Sequence, residues 1–278
     1  MLVNLSSMLK DAHLKKHAIG SFNVYNFETI KGVLESADEL KKPVIVAFGE
    51  KYLGNMDLNT VYAVVNSLAK NISTPVALHL DHCKSFEHII QAIRAGFTSV
   101  MFDGSSLSFE ENLRKTAQIV SIAHAVGVTV EAELGALSRG DYSNEDEGKQ
   151  IYTDPDQAEE FVKKTEVDAL AVSIGTVHGM YKGEPKIDIG VLKAISSKID
   201  IPLVLHGGSG TPQATIKECI YNGICKINVN TEISMYTVNK IKGALKSDTN
   251  YHLSKVSLME VKYVKEVVKK YMNMFYDA

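Results

Sequence analysis

Residues 18–48 begin Ala18-Ile19-Gly20-Ser21-Phe22-Asn23-Val24, continue through a polar-apolar stretch at 27–40, and end Pro43-Val44-Ile45-Val46-Ala47-Phe48. The two flanking pieces are apolar runs of strand length, rich in β-branched and aromatic residues. Between them Ile30, Val33, Leu34, Ala37 and Leu40 fall at three- and four-residue steps, which lays a single apolar stripe along a helix. A near-continuous apolar strand followed by a covering helix and another such strand is the repeating unit of a parallel sheet.

That unit recurs. Apolar runs at 18–24, 43–48, 76–80, 99–102, 128–134, 169–174, 203–205 and 226–229 follow a short N-terminal helix, with helical patterns between them. Eight covered strands predict an α/β fold closed on itself, a single (β/α)8 TIM barrel over 1–278, with an open doubly wound sheet as the alternative. The 278 residues sit close to the roughly 250 such a barrel needs. No Pro/Ser-rich linker or low-complexity tract marks a second domain. An additional C-terminal helical segment at 257–276 carries Leu258, Val261, Val264, Val268, Tyr271 and Met274 on one face and lysines on the other, as expected of a helix packed on the barrel or on a neighbouring subunit.

A hydrophobic share of 45% against 23% charged residues supplies a core. The net charge of −3 and pI near 6.3 give no broad positive field, which argues against nucleic acid as a partner. The N-terminus meets Lys10, Asp11 and Lys15 before any long apolar run, so neither a signal peptide nor a membrane span is expected, and the protein is read as cytoplasmic. Cys83, Cys219 and Cys225 are odd in number and scattered, which fits reduced, buried thiols.

Barrels keep their chemistry where strands end, so the residues just after each apolar run decide function. Those positions hold Asn23, Asp81 and His82, Asp103, Glu133, His178, His206, and Asn228 with Asn230. His82, His178 and His206, on three different strands, suit Zn2+ with an open fourth position. His79 is expected to be structural or to support a ligand, and His13, His17, His88, His124 and His252 to lie on the surface. His206-Gly207-Gly208-Ser209-Gly210, leading into a helix, and Asn228-Val229-Asn230-Thr231, opening the next, fall after the last two strands, where barrels commonly cradle phosphate. The stretch 139–152, dense in Gly, Ser and acids, is either a solvated loop or an active-site lid.

Five motifs in order, Leu78-His79-Leu80-Asp81-His82, Glu131-Ala132-Glu133-Leu134-Gly135, Ile174-Gly175-Thr176-Val177-His178-Gly179, Leu205-His206-Gly207-Gly208-Ser209-Gly210 and Lys226-Ile227-Asn228-Val229-Asn230-Thr231, resemble the class II, metal-dependent fructose- and tagatose-bisphosphate aldolases over essentially the whole chain. The resemblance implies that His82, His178 and His206 hold a catalytic Zn2+. Asp103 and Glu133 would face a second or alternative divalent position, and Asp81 would move the proton at the aldehyde oxygen. It implies that Gly179, Gly207, Gly208, Ser209, Asn228, Val229, Asn230 and Thr231 hold dihydroxyacetone phosphate, with a monovalent cation, Na+ or K+, near the phosphate. Asn23 would support the enediolate. The expected partners are a sugar bisphosphate and triose phosphates, and the expected assembly is a homodimer or homotetramer.

Three departures bear on the choice of sugar. The lid runs Ala136-Leu137-Ser138-Arg139-Gly140-Asp141-Tyr142-Ser143-Asn144-Glu145-Asp146 where the family carries Gly-Gly before Glu-Asp, and Glu145 is taken as the base. Gly104-Ser105-Ser106 stands where many members have Ser-His, and Gly49 where the fructose enzymes have serine. A metal-dependent hydrolase barrel would need a His-x-His pair after the first strand, and Asn23-Val24-Tyr25 is there instead. A lysine-based aldolase leaves the histidines without a task, and a non-catalytic phosphosugar-binding barrel need not keep Asp81 with three histidines.

Overall fold

The computed structural model describes residues 2–144, 149–247 and 250–276. Helix α1 (Leu5–Lys15) precedes β1 (Ile19–Asn23), α2 (Phe27–Leu40), β2 (Val44–Gly49), α3 (Leu58–Ala69), β3 (Val76–Cys83), α4 (Phe86–Ala95), β4 (Ser99–Phe102), α5 (Phe109–His124) and β5 (Thr129–Leu134). There follow β6 (Ser138–Arg139), α6 (Pro155–Thr165), β7 (Ala169–Val172), β8 (Val177–His178), α7 (Ile189–Ser196), β9 (Leu203–Leu205), α8 (Gln213–Tyr221), β10 (Ile224–Val229), α9 (Thr231–Ser247) and α10 (Leu253–Tyr276). Among the described residues, eight parallel strands close in the order β1-β10-β9-β7-β5-β4-β3-β2. Pairing of Ile19 with Lys226 and of Ser21 with Asn228 seals the barrel, which rules out the open sheet. The two-residue strands β6 and β8 pair only with each other, above the rim.

Local chemistry sets the helix limits. Asn26 and Thr29 form a reciprocal capping box at the start of α2, and Ser85 caps α4, which stops at Gly96 in the left-handed region. Alternation within the strands then divides the barrel. Val76, Leu78 and Leu80 join the layer between sheet and helices, while Ala77 turns inward.

The inner floor is apolar: Leu5, Met8, Leu9 and Ala12 of α1 plug it against Ile19, Ile45, Ala77 and Val204. Higher inside, Ser21, His79, Ser99, Glu131 and Lys226 are fully buried polar residues, so the polar half of the barrel lies towards the strand C-termini, where a site belongs.

The last helix is α10, and it begins earlier than its apolar pattern predicts. It buries Val261, Val264, Val268 and Tyr271 but leaves Leu258 63% exposed. Where it crosses α2, a Cβ on Gly32 would come within 2.7 Å of Val264 Cγ1. Gly32→Val is therefore expected to cost about 1–3 kcal/mol through overpacking, read as a lower urea midpoint. An unchanged midpoint would mean that the two helices do not pack this closely. His17, expected on the surface, is 6% exposed and packs its ring on Tyr276 with centroids 4.2 Å apart, because the turn after α1 folds under the C-terminal end of α10. No helix among the described residues is long and apolar enough to cross a membrane.

Candidate active site

The ends of six barrel strands, β1, β3, β4, β5, β9 and β10, and the accessory strand β8 build the site. Asp81 and His82 stand near the end of β3, level with Gly49 of β2 at Asp81. His82 has φ 47°, a left-handed conformation for a residue with a side chain, at the place where the β3–β4 register shifts between Leu80 and Cys83. Such a bulge re-aims a side chain, and its backbone strain needs support from the surroundings. The support includes a hydrogen bond from the His82 amide to Met101 Sδ at 3.4 Å.

His206 follows β9. His178 does not end a barrel strand, as the sequence suggested. It lies on β8, whose pairing with β6 ties it to the base of the 139–152 stretch, through Gly140 N–H donating to the His178 carbonyl at 2.8 Å. The chain leaves the barrel after Val172 and returns over the rim before presenting this ring.

The three imidazoles converge. Ring centroids lie 5.0 Å apart for His82 and His178 and 4.5 Å for His82 and His206, and one ligand atom from each of the three falls within 4.8 Å of the others. His178 Nε2 is buried without a hydrogen-bond partner, and His206 Nδ1 and Glu133 Oε2, also buried, face each other at 3.4 Å. A buried polar atom is rarely left unpaired, and imidazole nitrogens aimed at one point fit a transition metal.

His206 Nε2 is 3.0 Å from Glu131 Oε1, which holds that nitrogen as the donor and leaves Nδ1 to face the cluster. Burial first, then the neighbouring His82 and His206, keeps His178 well below the usual histidine range, hence neutral.

Carboxylates surround these rings. Asp103 Oδ2 lies 3.1 Å and Glu133 Oε2 3.8 Å from His82 Nδ1, so both acids share the cluster of His82, and His82, Asp103 and Glu133 form a second group able to hold an ion. Asp81 is gripped from both sides, with Asn23 Nδ2 donating to Oδ2 at 2.9 Å and Asn228 Nδ2 to Oδ1 at 3.1 Å. Burial alone would raise its pKa. The neighbouring His82 first and then Lys226 outweigh burial and hold Asp81 below the ordinary carboxylate range.

A third group, Glu50, Cys83 and His88, lies just outside. There Glu50 accepts from the amides of Lys84 at 2.9 Å and Ser85 at 3.2 Å and lies 2.7 Å from His88 Nδ1, which organises the turn after β3. His88 is thus a partly exposed residue paired with Glu50.

The glycine loops lie beside the rings. Gly207 has φ +72° and a Cβ there would meet the Val177 carbonyl at 2.2 Å; Gly179 has φ +117° and would meet the Asp141 carbonyl at 2.6 Å. Both positions need glycine. Ser209 Oγ accepts from the Glu232 amide at 3.2 Å, and Thr231 opens α9 at the same cavity, which Asn23, Gly179, Gly207 and Asn228 also line. Val229 points into the barrel-helix layer, so only its backbone can serve the site. The Asn230 side chain is spent on two tyrosines, accepting from Tyr25 OH at 2.6 Å and donating to Tyr52 OH at 3.0 Å. Glu145 lies outside the described residues.

Sequence reasoning gave no role to Glu131 and Lys226. Lys226 Nζ sits 2.7 Å from Glu131 Oε2, both wholly buried beneath the rings. A signal existed: each is a charged residue inside an apolar strand, two positions before a rim residue, Glu133 and Asn228 respectively.

Residues 3–278 match the sequence model of the family described as fructose-bisphosphate aldolase class-II. The chain is 45% identical over 256 residues to the fructose-bisphosphate aldolase of Geobacillus stearothermophilus, covering 90% of this chain and 88% of the relative. It is 40% identical over 251 residues to the sulfofructosephosphate aldolase of Alkalicoccus urumqiensis, covering 89% and 87%. Among solved structures, the YdjI aldolase from Escherichia coli K12 superposes with a TM-score of 0.87 at 37% identity, over 99% of this chain and 97% of that one.

Proposed function

Because the chain belongs to the class-II fructose-bisphosphate aldolase family and is therefore a lyase, we propose that it reversibly cleaves fructose 1,6-bisphosphate to dihydroxyacetone phosphate and glyceraldehyde 3-phosphate, with residues 1–278 acting as one domain. The observation that carries the reading is the meeting of three imidazoles, with His178 Nε2 buried without a hydrogen-bond partner, and a carboxylate held by two amides.

His82, His178 and His206 would hold Zn2+, which supplies Lewis acidity towards the oxygens of the donor ketone. Glu131 fixes the tautomer of His206, and Asp103 and Glu133 are placed for a second divalent ion. Gly179, Gly207 and Gly208 let the backbone approach the donor phosphate, while Ser209, Thr231 and the start of α9 supply donors and a favourable dipole, with Na+ or K+ nearby. In cleavage Asp81 accepts the proton of the hydroxyl beside the breaking bond, and in condensation it returns that proton. Asn23 and Asn228 fix where its oxygens point. Glu145 serves the donor C–H proton. The same reading places the enzyme in the cytoplasm, in glycolytic sugar-phosphate breakdown, as a homodimer or homotetramer. The names of two relatives differ in what fructose carries, a sulfo group in one and a second phosphate in the other, so the far end of the sugar is what this site has to read.

The test is cleavage of fructose and tagatose 1,6-bisphosphates with and without EDTA, followed by coupled consumption of the triose phosphates. Chelator-sensitive turnover restored by Zn2+ is expected, faster on the fructose sugar. Absence of turnover on both sugars with zinc bound would overturn the assignment.

A further inference from the structure

Next to the rim site lies a second chamber of about 220 Å³. Its walls include Tyr25, Tyr52, Tyr142, Asn144, Asn230 and Ser234. Asn144 and Asn230 also line the inner cavity with Asp81, His82 and His178, so the two spaces share a wall.

Hydrogen bonds make that wall a bridge. Tyr52 OH accepts from Asn230 Nδ2 at 3.0 Å and from Asn144 Nδ2 at 2.9 Å, and Tyr25 OH reaches Asn230 Oδ1. The two phenol rings meet edge to face with centroids 4.8 Å apart. At the end of β2 a Cβ on Gly49 would touch the Tyr52 ring at 3.2 Å, so the strand end level with Asp81 carries no side chain of its own and the tyrosine covers it. Tyr52 thereby links the loop bearing Asn144 to the start of α9, over the strand end level with Asp81.

If the chain is an aldolase of the kind proposed, the donor half of the sugar takes the inner cavity, between the glycine loops and the histidines, and the role of the second chamber rests on that reading. The aldehyde half then leaves Asp81 towards the shared wall. Phenols and carboxamides both donate and accept, which suits a chain of hydroxyl groups. A buried partner left unmatched by a misplaced hydroxyl discriminates far more strongly than a missing methylene does. We propose that this chamber is the subsite for the aldehyde half of the ketose, a hydroxylated carbon chain, and that Tyr52, supported by Tyr25 and Asn230, determines which aldehyde is accepted.

The zinc-loaded full chain and its Tyr52→Phe and Tyr25→Phe variants test this with two readouts. Exchange of the dihydroxyacetone phosphate C–H proton with solvent needs only the donor half. Cleavage of fructose 1,6-bisphosphate, tagatose 1,6-bisphosphate and fructose 1-phosphate needs both halves. For each variant, exchange should change by less than about twofold, while the ratios of kcat/KM among the three sugars shift by about tenfold, the worth of one hydrogen bond of about 1.4 kcal/mol. If exchange and all three cleavages fall by one common factor, Tyr52 merely holds the loop and the proposal is wrong. Sugar ratios that stay unchanged with exchange intact overturn it as well. A wild-type enzyme that neither exchanges nor cleaves removes the aldolase reading itself, and the subsite assignment falls with it. Tyr25→Phe keeps the test usable should Tyr52→Phe fold poorly.

Discussion

Asp81→Asn is expected to fold, to bind Zn2+ as the wild type does and, under the proposed mechanism, to lose about 10²–10⁴-fold in kcat for cleavage, the usual worth of a positioned proton-transfer group. The carboxylate is wholly inside the protein, and each of its oxygens already accepts from an amide, Asn23 on one side and Asn228 on the other. An amide in its place keeps the shape, but its own NH2 then faces one of those donors. Asn228 can answer by rotating, since its Oδ1 has no partner, so the loss falls on proton transfer more than on stability. Donor-proton exchange on dihydroxyacetone phosphate should survive, because the proposed mechanism has Asp81 act only on the aldehyde side. The measurement is kcat, exchange rate and bound zinc on the same preparation. A kcat within tenfold of wild type at full zinc occupancy would remove Asp81 from the chemistry.

The second large effect lies beneath the rings. Lys226→Met should destabilise the barrel by about 3–5 kcal/mol, because it strands the Glu131 carboxylate in the interior. Burial pushes the Glu131 pKa up, but Lys226 above all, then the bond from His206 and the charge of His79, brings it down to about 2. Since the folded value lies below the unfolded one, this contribution is complete above the ordinary carboxyl range and is lost as the pH falls towards about 2.

Glu131→Gln combined with Lys226→Met removes both charges and should recover part of that stability. Zinc affinity of this double variant is expected to be about 10–100-fold weaker than that of the wild type, because His206 loses the carboxylate that sets its tautomer. Denaturant midpoints and competitive zinc titration separate the two outcomes. A Lys226→Met protein within about 1 kcal/mol of wild type would show that the pair does not bear on stability.

The barrel was legible because its cause is local. Apolar runs such as 99–102 and 203–205 coincide with β4 and β9, and the stripe at 27–40 coincides with α2, since each element buries a face that a few consecutive residues define. Ends were less legible. β3 runs on through His82 to Cys83 because its bulge keeps the strand paired past the polar residues, and α10 starts before its apolar stripe. The histidines, Asp81 and the glycine loops could be named because polar groups at strand ends and glycines at sharp turns mark themselves one residue at a time.

Their relations could not be read in that way. His206 meets Glu131 across 75 positions, Asp81 meets Asn228 across 147, and Tyr25 meets Asn230 across 205. Nothing near Tyr52 or Asn144 in the chain announces that they share a bridge, nor does anything near His178 announce that it rides on β8 above the barrel. By itself the sequence determined the strands, the helices and the kinds of chemistry at the rim, because periodicity and residue type act over a turn or a strand. Closure of the barrel alone decided which charge is neutralised by which, which imidazole nitrogen is left facing the cluster, and which tyrosines bond to Asn230, because those depend on distances between segments that only the folded chain brings together.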